Sequence, residues 1–455
     1  MDKGDNMLEN LLNYLSDKKI LILGYGVEGQ SSYRFLRKNF PEKQLFIADK
    51  NIELLNKNIE LEEDINLEVS LGPNYFNGIE QYDLILKAPG ISLKDIDISK
   101  FENKISSQLE LFLEFVNTYT IGITGTKGKS TTSSLMYKVL IDQGKDAYLL
   151  GNIGEPIFND IEFIKENSIV VIELSSHALE FVKKSTNIGV ILDIFEEHLD
   201  HYKSLNKYIE AKYNLAKYQK NEDILIYNYD NNLMNEYNFS YKENDYAISI
   251  NSIPDVNNSV FLDNEIIYCN NKCVMDVNEK MNLKGIHNIQ NIMFILAICD
   301  ILNLDLNKTI NSIKEFRPLE HRMEYVGRVN EIDYYNDSIA TIPEATINAI
   351  KSIKDINTII VGGKDRGVNL NELINFLQES DIENIICLPK TGEYIKQGLR
   401  NKNVYYVEEL KDAVMIAKNI TRKNMVCLLS PAASSYGYFK NFEERGNLFK
   451  KYVLE

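Results

Sequence analysis

Between residues 119 and 143, the apolar residues change from a continuous run to helical spacing. Residues 119–123 form an apolar run with the length of a buried strand. From residue 129 to residue 143, apolar side chains recur at spacings of three and four, as on one face of a helix. The sequence therefore predicts a strand, a glycine-rich turn and a helix in direct succession.

The same alternation is repeated before and after this segment. Apolar runs at 18–23, 44–48 and 82–87 predict strands, and residues 30–39 predict a helix. Further strands are predicted at 147–150, 168–174 and 187–194, and a helix from 204 to about 220. From about residue 221, short apolar runs between Asn and Asp turns predict a small antiparallel β-sheet appended to the central domain.

Strands and helices alternate again beyond residue 319, so we expect an α/β protein with more than one domain. The length of 455 residues fits about three domains. Proline and charged residues at 317–322 have the character of a linker. The predicted domains are residues 1–107, 108–318 and 319–455.

Composition narrows the functional classes. The net charge of −16 and the absence of a dense Lys/Arg stripe argue against a nucleic-acid-binding surface. The five cysteines are scattered, which is typical of reduced thiols in a cytoplasmic protein. The acidic N-terminus lacks the apolar core of a signal peptide, and no apolar run is long enough to span a membrane. We expect a cytoplasmic protein.

The glycine-rich turn after residue 123 has the character of a phosphate-binding loop. Glycines let backbone N–H groups approach phosphate oxygens, and the helix N-terminus adds partial positive charge. Lys129 is placed to reach the outer phosphates, and the Ser130 hydroxyl is placed to hold Mg²⁺. The strict phosphate-loop pattern requires glycine where this chain has Ile123. The expected ATP-binding residues here are Gly125, Thr126, Lys127, Gly128, Lys129, Ser130 and Thr131.

Polar residues stand at the ends of the next two predicted strands. Glu173 lies near the end of a buried strand, where its carboxylate needs a cation, either Mg²⁺ or a lysine. His198 follows the strand at 187–194 and is either a site residue or a structural histidine. Asn291, on an apolar helix, either offers its amide to an adenine edge or makes a core hydrogen bond.

A second glycine-rich turn, 24–29, follows the first predicted strand. Its G-x-G-x-x-G pattern, with Asp49 about 20 positions on, predicts a Rossmann-like domain that binds a diphosphate. The pattern fits NAD as well as a UDP-linked substrate. In the last domain, Lys364, Arg366 and serine hydroxyls follow predicted strands and are suited to hold a small carboxylate.

Several motifs, in order along the chain, together resemble the Mur ligases, ATP-dependent amide ligases of peptidoglycan precursor synthesis. The motifs lie at 125–132, 151–154, 173–176, 197–200, 211–212, 287–288, 321–324, 336–338 and 429–434. The segment 439–446 resembles the member of the family that adds D-glutamate. The resemblance implies Rossmann-like first and last domains around a central P-loop domain.

The resemblance also implies substrates and cofactors. They are UDP-N-acetylmuramoyl-L-alanine, D-glutamate, ATP and two Mg²⁺ ions. Separately, we expect no nucleic-acid partner, no membrane span and a monomeric chain. Lys129, Glu173, His198 and Lys212 are implied as catalytic, and Ser130, Glu173, His198 and Lys212 as metal-binding. In this family the lysine that matches Lys212 is carbamylated, which turns a cation into an anionic metal ligand.

The remaining implied positions are substrate contacts. ATP contacts are also implied for Asn291, Arg322 and Asp337. UDP-substrate contacts are implied for Val27, Glu28, Asp49, Lys50, Gly90, Asn152 and Ser175. Amino-acid contacts are implied for Thr341, Arg366, Ser435 and Phe442.

The chain departs from the family pattern at two places. Ile339 stands where many members have lysine, and His177-Ala178 stands where an aromatic residue and glutamine are common. The alternatives are a sister ligase that adds another amino acid, an NAD-dependent oxidoreductase, and an ATP-binding scaffold. The NAD-dependent oxidoreductase would leave the phosphate-binding loop and Glu173 without a purpose, and the scaffold would be distinguished by ATP hydrolysis that does not depend on added substrates.

Overall fold

A computed structural model describes residues 5–195, 201–202, 204–233, 241–283, 285–317, 320–365, 370–435 and 437–455. The contacts among residues divide the chain into two compact units. The first unit is Met1–Met281 with His287–Phe316, and the second is Asn282–Ile286 with Arg317–Glu455. The finer division into 1–107, 108–318 and 319–455 stays a prediction. Among the described residues, no helix is long and apolar enough to cross a membrane.

The first unit begins with a five-stranded parallel sheet. Its strands are β1 (Ile20–Leu23), β2 (Leu45–Asp49), β3 (Leu67–Leu71), β4 (Leu84–Lys87) and β5 (Ile105–Ser106). They lie in the order β3-β2-β1-β4-β5, and every pairing is parallel. The helices of this region are α1 (Asp5–Ser16), α2 (Val27–Asn39), α3 (Ile59–Glu62) and α4 (Gln108–Phe115). Because α2 begins at Val27, three residues before the predicted start, the glycine turn leads directly into its N-terminus.

The second sheet of this unit has nine strands. They are β6 (Tyr119–Thr124), β7 (Ala147–Gly151), β8 (Ile169–Glu173), β9 (Ile188–Ile191), β10 (Ile224–Asn228), β11 (Tyr246–Ser249), β12 (Asn258–Asp263), β13 (Ile266–Cys269) and β14 (Lys272–Asp276). Their order is β14-β13-β12-β11-β10-β9-β6-β8-β7. The accompanying helices are α5 (Lys129–Asp142), α6 (Ile157–Asp160), α7 (Ser176–Leu179), α8 (Leu205–Lys217), α9 (Ile286–Ile301) and α10 (Leu306–Glu315).

The prediction of a small, separate antiparallel sheet is wrong. Only β12, β13 and β14 pair in an antiparallel manner, whereas β10, β11 and β12 pair in parallel. The short strand β11, which the sequence pattern did not reveal, is buried along its whole length and joins β10 to β12. The hairpins therefore extend the main sheet and do not form a separate one.

A shared core joins the two sheets of the first unit. Residues of both regions belong to one cluster of buried apolar side chains, and the rings of Phe35 on α2 and Phe158 on α6 lie 4.5 Å apart. Gln108 is 1% exposed and contacts both regions. Its Nε2 donates to the Ser32 hydroxyl (2.8 Å), and its Oε1 accepts from the backbone N–H of Phe158 (3.1 Å).

The second unit contains a six-stranded mixed sheet. Its strands are β15 (Glu324–Val329), β16 (Ile332–Asn336), β17 (Ile356–Gly363), β18 (Asn384–Lys390), β19 (Asn403–Tyr406) and β20 (Val426–Leu429). Their order is β15-β16-β20-β17-β18-β19, and only the β15–β16 pairing is antiparallel. Its helices are α11 (Pro343–Ser352), α12 (Asn371–Glu379), α13 (Thr391–Gly398), α14 (Leu410–Ile420) and α15 (Phe442–Leu454). The predicted α/β alternation is confirmed.

We expect Gly29→Ala to destabilise the first unit. A Cβ at Gly29 would lie 2.0 Å from the backbone oxygen of Gly24, so the turn would have to shift. Overpacking of this kind costs about 1–3 kcal/mol. Gly26→Ala is the matched control, because nothing lies within 4 Å of its added Cβ. Urea unfolding followed by circular dichroism should show a lower midpoint for Gly29→Ala alone. Equal midpoints for the two variants would contradict the close approach.

Candidate active site

The glycine-rich turn after β6 has the backbone that a phosphate-binding loop requires. Gly125 and Gly128 have φ values of +149° and +83°, which side chains with a Cβ rarely adopt. A Cβ at Gly128 would also lie 2.5 Å from Oδ1 of Asn291. Ile123 is fully buried within β6, so the position that departs from the strict pattern belongs to the strand and not to the turn.

Two lysines converge on one carbonyl oxygen of this loop. Lys129 Nζ donates to the backbone oxygens of Gly125 (2.9 Å) and Thr126 (3.0 Å). Lys212 Nζ, from α8, donates to the same oxygen of Gly125 at 2.8 Å. The Lys212 side chain is 2% exposed and also lies over the Tyr208 ring. The fold thus places Lys212 at the loop, whereas the residues alone singled out no lysine of this helix.

Glu173 ends the strand beside the loop. It pairs in register with Ile123 on one side and with Gly151 on the other, and it is 1% exposed. Its Oε1 accepts a hydrogen bond from Asn152 Nδ2 at 2.6 Å. Its Oε2 is buried and has no hydrogen-bond partner among the described residues. A buried carboxylate oxygen without a partner is costly, so this site fits a cation.

The other predicted ATP contacts of the first unit lie at the same loop. Ser130 and Thr131 open helix α5 and are 9% and 7% exposed. Asn291 is 6% exposed, and its Nδ2 donates to Asn288 Oδ1 at 3.3 Å. Lys127 is half-buried in the turn. His198, predicted as a metal ligand, lies outside the described residues.

Asp193 is a loop-supporting residue that the sequence reasoning missed. Its backbone oxygen accepts the N–H of Thr126 at 2.6 Å, next to the glycine turn. Its Oδ1 accepts from Nδ2 of Asn228 and of Asn231, and burial raises the pKa of its carboxyl. An acidic residue near the end of an apolar run, as at Glu173, was the available signal.

At the first glycine turn, the carboxylate of Asp49 is hydrogen-bonded to the backbone of the protein itself. The two carboxylate oxygens of Asp49 accept the backbone N–H groups of Tyr25 and Asn51, each at 2.8 Å. Val27 is 75% exposed, and Lys50 is exposed. Asp49 therefore fixes the turn, and exposed side chains surround it.

Three further predicted substrate contacts lie at strand ends or close to them. Gly90, just beyond β4, is exposed, and Asn152, beyond β7, is bound to Glu173. Ser175 Oγ accepts the backbone N–H of Ala178 at 3.1 Å and so caps α7. Glu28, in the first turn of α2, has its pKa raised to about 7 by burial, which nearby Lys87 opposes.

In the second unit, predicted site residues gather at the carboxyl ends of neighbouring strands. Asp337, just beyond β16, is 4% exposed, and its Oδ2 accepts from the Ser430 hydroxyl at 2.8 Å. Ser435 is 3% exposed, and Phe442 begins α15. Arg322 and Thr341 are half-buried in the same unit. Arg366, predicted for the amino acid, lies outside the described residues.

Arg445 is a second residue that the sequence reasoning missed. Its guanidinium is fully buried and donates to the backbone oxygens of Ser338 (2.7 Å) and Ala433 (3.0 Å). Burial lowers the pKa of Arg445 to about 9, which nearby Asp337 opposes. This one side chain therefore joins the loops that follow β16 and β20.

Solved structures with a similar fold include proteins named as ligases. The UDP-N-acetylmuramate-alanine ligase of Thermotoga maritima superposes with a TM-score of 0.58 over 95% of this chain and 98% of its own, at 20% identity. A pseudomurein peptide ligase type C of Methanothermus fervidus gives 0.59 over 96% and 99%, at 19% identity. At these identities, the likeness establishes the fold alone.

Similarity in sequence identifies the family as well as the fold. Residues 123–299 match the family described as Mur ligase middle domain, and residues 321–433 match the Mur ligase, glutamate ligase domain. Relatives named UDP-N-acetylmuramoylalanine–D-glutamate ligase span nearly the whole chain. The one from Clostridium botulinum is 32% identical over 97% of both chains, and that of Clostridioides difficile is 32% identical over 96% of this chain and 99% of its own. The chain belongs to the Mur ligase family.

Proposed function

We propose that this protein is an ATP-dependent amide ligase that adds D-glutamate to UDP-N-acetylmuramoyl-L-alanine and releases ADP and phosphate. The observation that carries the proposal is the meeting of the glycine loop, Lys129 and Lys212 at Gly125, beside a strand that ends in Glu173. Relatives at 30–32% identity over nearly the whole chain carry the name of this D-glutamate ligase.

The reaction has two steps. The alanine carboxylate attacks the γ-phosphorus of ATP, and the new O–P bond replaces the bond to ADP. The D-glutamate amine then attacks the carbonyl carbon of the acyl phosphate, loses a proton, and expels phosphate as the C–O bond breaks. The first step brings two anions together, so the site has to screen negative charge. Lys129, held at the mouth of the loop, supplies one positive charge for this purpose.

Magnesium fits the remaining groups. When bound, the ion offsets phosphate charge and orients the triphosphate. Ser130 would hold it through its hydroxyl and Glu173 through the buried oxygen that lacks a partner. No cluster of three or more His, Cys, Asp or Glu side chains suited to a metal occurs in the described ranges. Mg²⁺ needs only one or two carboxylates from a protein, because phosphate and water complete its coordination shell.

Lys212 would serve a second magnesium ion as a carbamate, together with His198. Condensation of its neutral amine with CO₂ forms an N–C bond and releases a proton, which leaves an anionic oxygen ligand in place of a cation. The support is the position of the side chain, which is buried at the loop, 2.8 Å from the Gly125 oxygen that Lys129 also contacts. If Lys212 is not carbamylated, the ammonium groups of Lys129 and Lys212 both donate to the backbone oxygen of Gly125.

The substrate sites follow the glycine turns and strand ends. The UDP group would lie at the first turn, near Val27, Asp49 and Lys50, with Gly90 and Asn152 toward the sugar. D-Glutamate would lie in the C-terminal region, near Ser435 and Phe442. In this account, the chain has Rossmann-like first and last domains and a central P-loop domain.

The substrate requirement tests the proposal. ADP release by the purified protein should need both UDP-N-acetylmuramoyl-L-alanine and D-glutamate, because the carboxylate and the amine come from different substrates. A coupled assay with each component omitted in turn measures this. Equal turnover with L-alanine and the sugar that lacks a peptide would contradict the proposal and favour a sister ligase.

Lys212→Ala should lower kcat by about 100-fold or more, as loss of a group that stabilises the transition-state charge does. Added bicarbonate should not restore activity, because no amine remains to react. Lys207→Ala is the matched control on the same helix, since that exposed lysine pairs with Glu210 on the surface. Carbon-13 NMR with labelled bicarbonate should show a carbamate signal in wild type and Lys207→Ala, but not in Lys212→Ala. Full activity of Lys212→Ala would contradict the carbamate.

A further inference from the structure

Lys87, at the end of β4, is a buried cation that none of the site assignments uses. Its side chain is 3% exposed, and its Nζ lies 3.7 Å from Oε2 of Glu180 and 3.5 Å from the backbone oxygens of Ala88 and Pro89. Burial lowers the pKa of Lys87, while Glu180 and Glu28 oppose this shift. Lys87 is therefore paired with Glu180 and is also subject to the charge of Glu28.

Glu28 is the carboxylate that matters for ligand binding. It lies in the first turn of α2, directly after the glycine turn, and its backbone oxygen accepts from Gln108 Nε2 (2.9 Å) and Ser32 Oγ (3.0 Å). These contacts keep Glu28 at the helix N-terminus. A negative charge at this position repels the diphosphate that the turn is expected to hold.

Glu28 and Lys87 line the same small cavity. Its volume is about 20 Å³, enough for a water molecule. Glu110 and His177 are the other charged or titratable side chains around it. Among the described residues that line this cavity, Lys87 is the one lysine or arginine. The positive charge that faces Glu28 there is therefore that of Lys87.

Glu180 has a second partner besides Lys87. Its Oε2 also pairs with His201 Nε2 at 3.1 Å, closer than the 3.7 Å to Lys87. Glu180 thus has a nearer partner than Lys87, whereas Lys87 is the one lysine or arginine among the described residues that line the cavity of Glu28.

We propose that Lys87 is a positioning residue that offsets the charge of Glu28, so that the first glycine turn accepts the diphosphate of a UDP-linked substrate. This inference rests on the proposed function and extends it to the charge balance of the substrate site. Lys87 acts through Glu28 and does not contact the reacting atoms.

Titration calorimetry with UDP on the full-length protein tests the inference. At pH 8.5, above the pKa of about 7, Glu28 is ionised in the wild type. Lys87→Met should then weaken UDP binding at least 10-fold, because it leaves Glu28 uncompensated. Since loss of Lys87 also raises the pKa of Glu28, the weakening should grow as the pH is raised further. Glu28→Gln should tighten UDP binding at least 3-fold. The double variant, which replaces both charges by neutral side chains, should return to within 3-fold of the wild type.

Glu180→Gln is the matched control, since it removes the other carboxylate beside Lys87. It should not weaken UDP binding, and combined with Lys87→Met it should not restore it. In steady-state assays, Lys87→Met should raise KM for the UDP-linked substrate and change kcat less than 3-fold. A purely structural role would give the same loss in the two double variants.

Two results would overturn the inference: wild-type UDP affinity in Lys87→Met, or a loss that Glu28→Gln does not restore. If Lys87→Met does not fold, the Glu28→Gln/Lys87→Met variant decides, because leaving one buried charge uncompensated destabilises more than replacing both charged groups does. A loss above 10-fold in that variant would overturn the inference. If wild type binds no UDP and shows no UDP-dependent turnover, the proposed function fails, and this inference fails with it.

Discussion

The unpaired oxygen of the buried Glu173 carboxylate is the constraint on which the site depends. The strand β8 lies between β6 and β7, so its last residue is enclosed on both sides and cannot turn to solvent. Asn152 satisfies one oxygen, and the other has no hydrogen-bond partner in the described part of the chain. Without a ligand, burial of this unpaired oxygen destabilises the folded protein. A bound cation would offset the loss of solvation. In the function that we propose, the glycine loop on the adjacent strand would bring the phosphates to the same place.

Buried charges recur elsewhere in the molecule. In the first unit, Lys87 pairs with Glu180 and lines the same cavity as Glu28. In the second unit, the Arg445 guanidinium joins two loops through backbone oxygens. Each of these groups is held by contacts between distant parts of the sequence. The sites are thus organised before a ligand arrives, which lowers the cost of placing charge in the transition state.

Local patterns were enough to predict the elements that carry the loop. A buried strand followed by glycines and an amphipathic helix has few alternatives, and Gly125 and Gly128 have the positive φ values that explain their identity. Glu173 was also predictable, because a carboxylate within an apolar run has to be compensated. By contrast, the choice of Lys212 from its helix rested on family resemblance, and its contact with Gly125 depends on packing across 87 positions. Strand β11, with four residues, was too short to produce a clear period.

Binding of Mn²⁺, a paramagnetic substitute for Mg²⁺, tests the central claim most directly. With a non-hydrolysable ATP analogue present, electron paramagnetic resonance measures the affinity of the ion. We predict that Glu173→Gln weakens Mn²⁺ binding at least 10-fold, because it removes the carboxylate charge while it can keep the contact with Asn152. Glu155→Gln, at an exposed glutamate, should stay within 2-fold of wild type. Wild-type Mn²⁺ affinity in Glu173→Gln would contradict the assignment of the buried carboxylate to the metal.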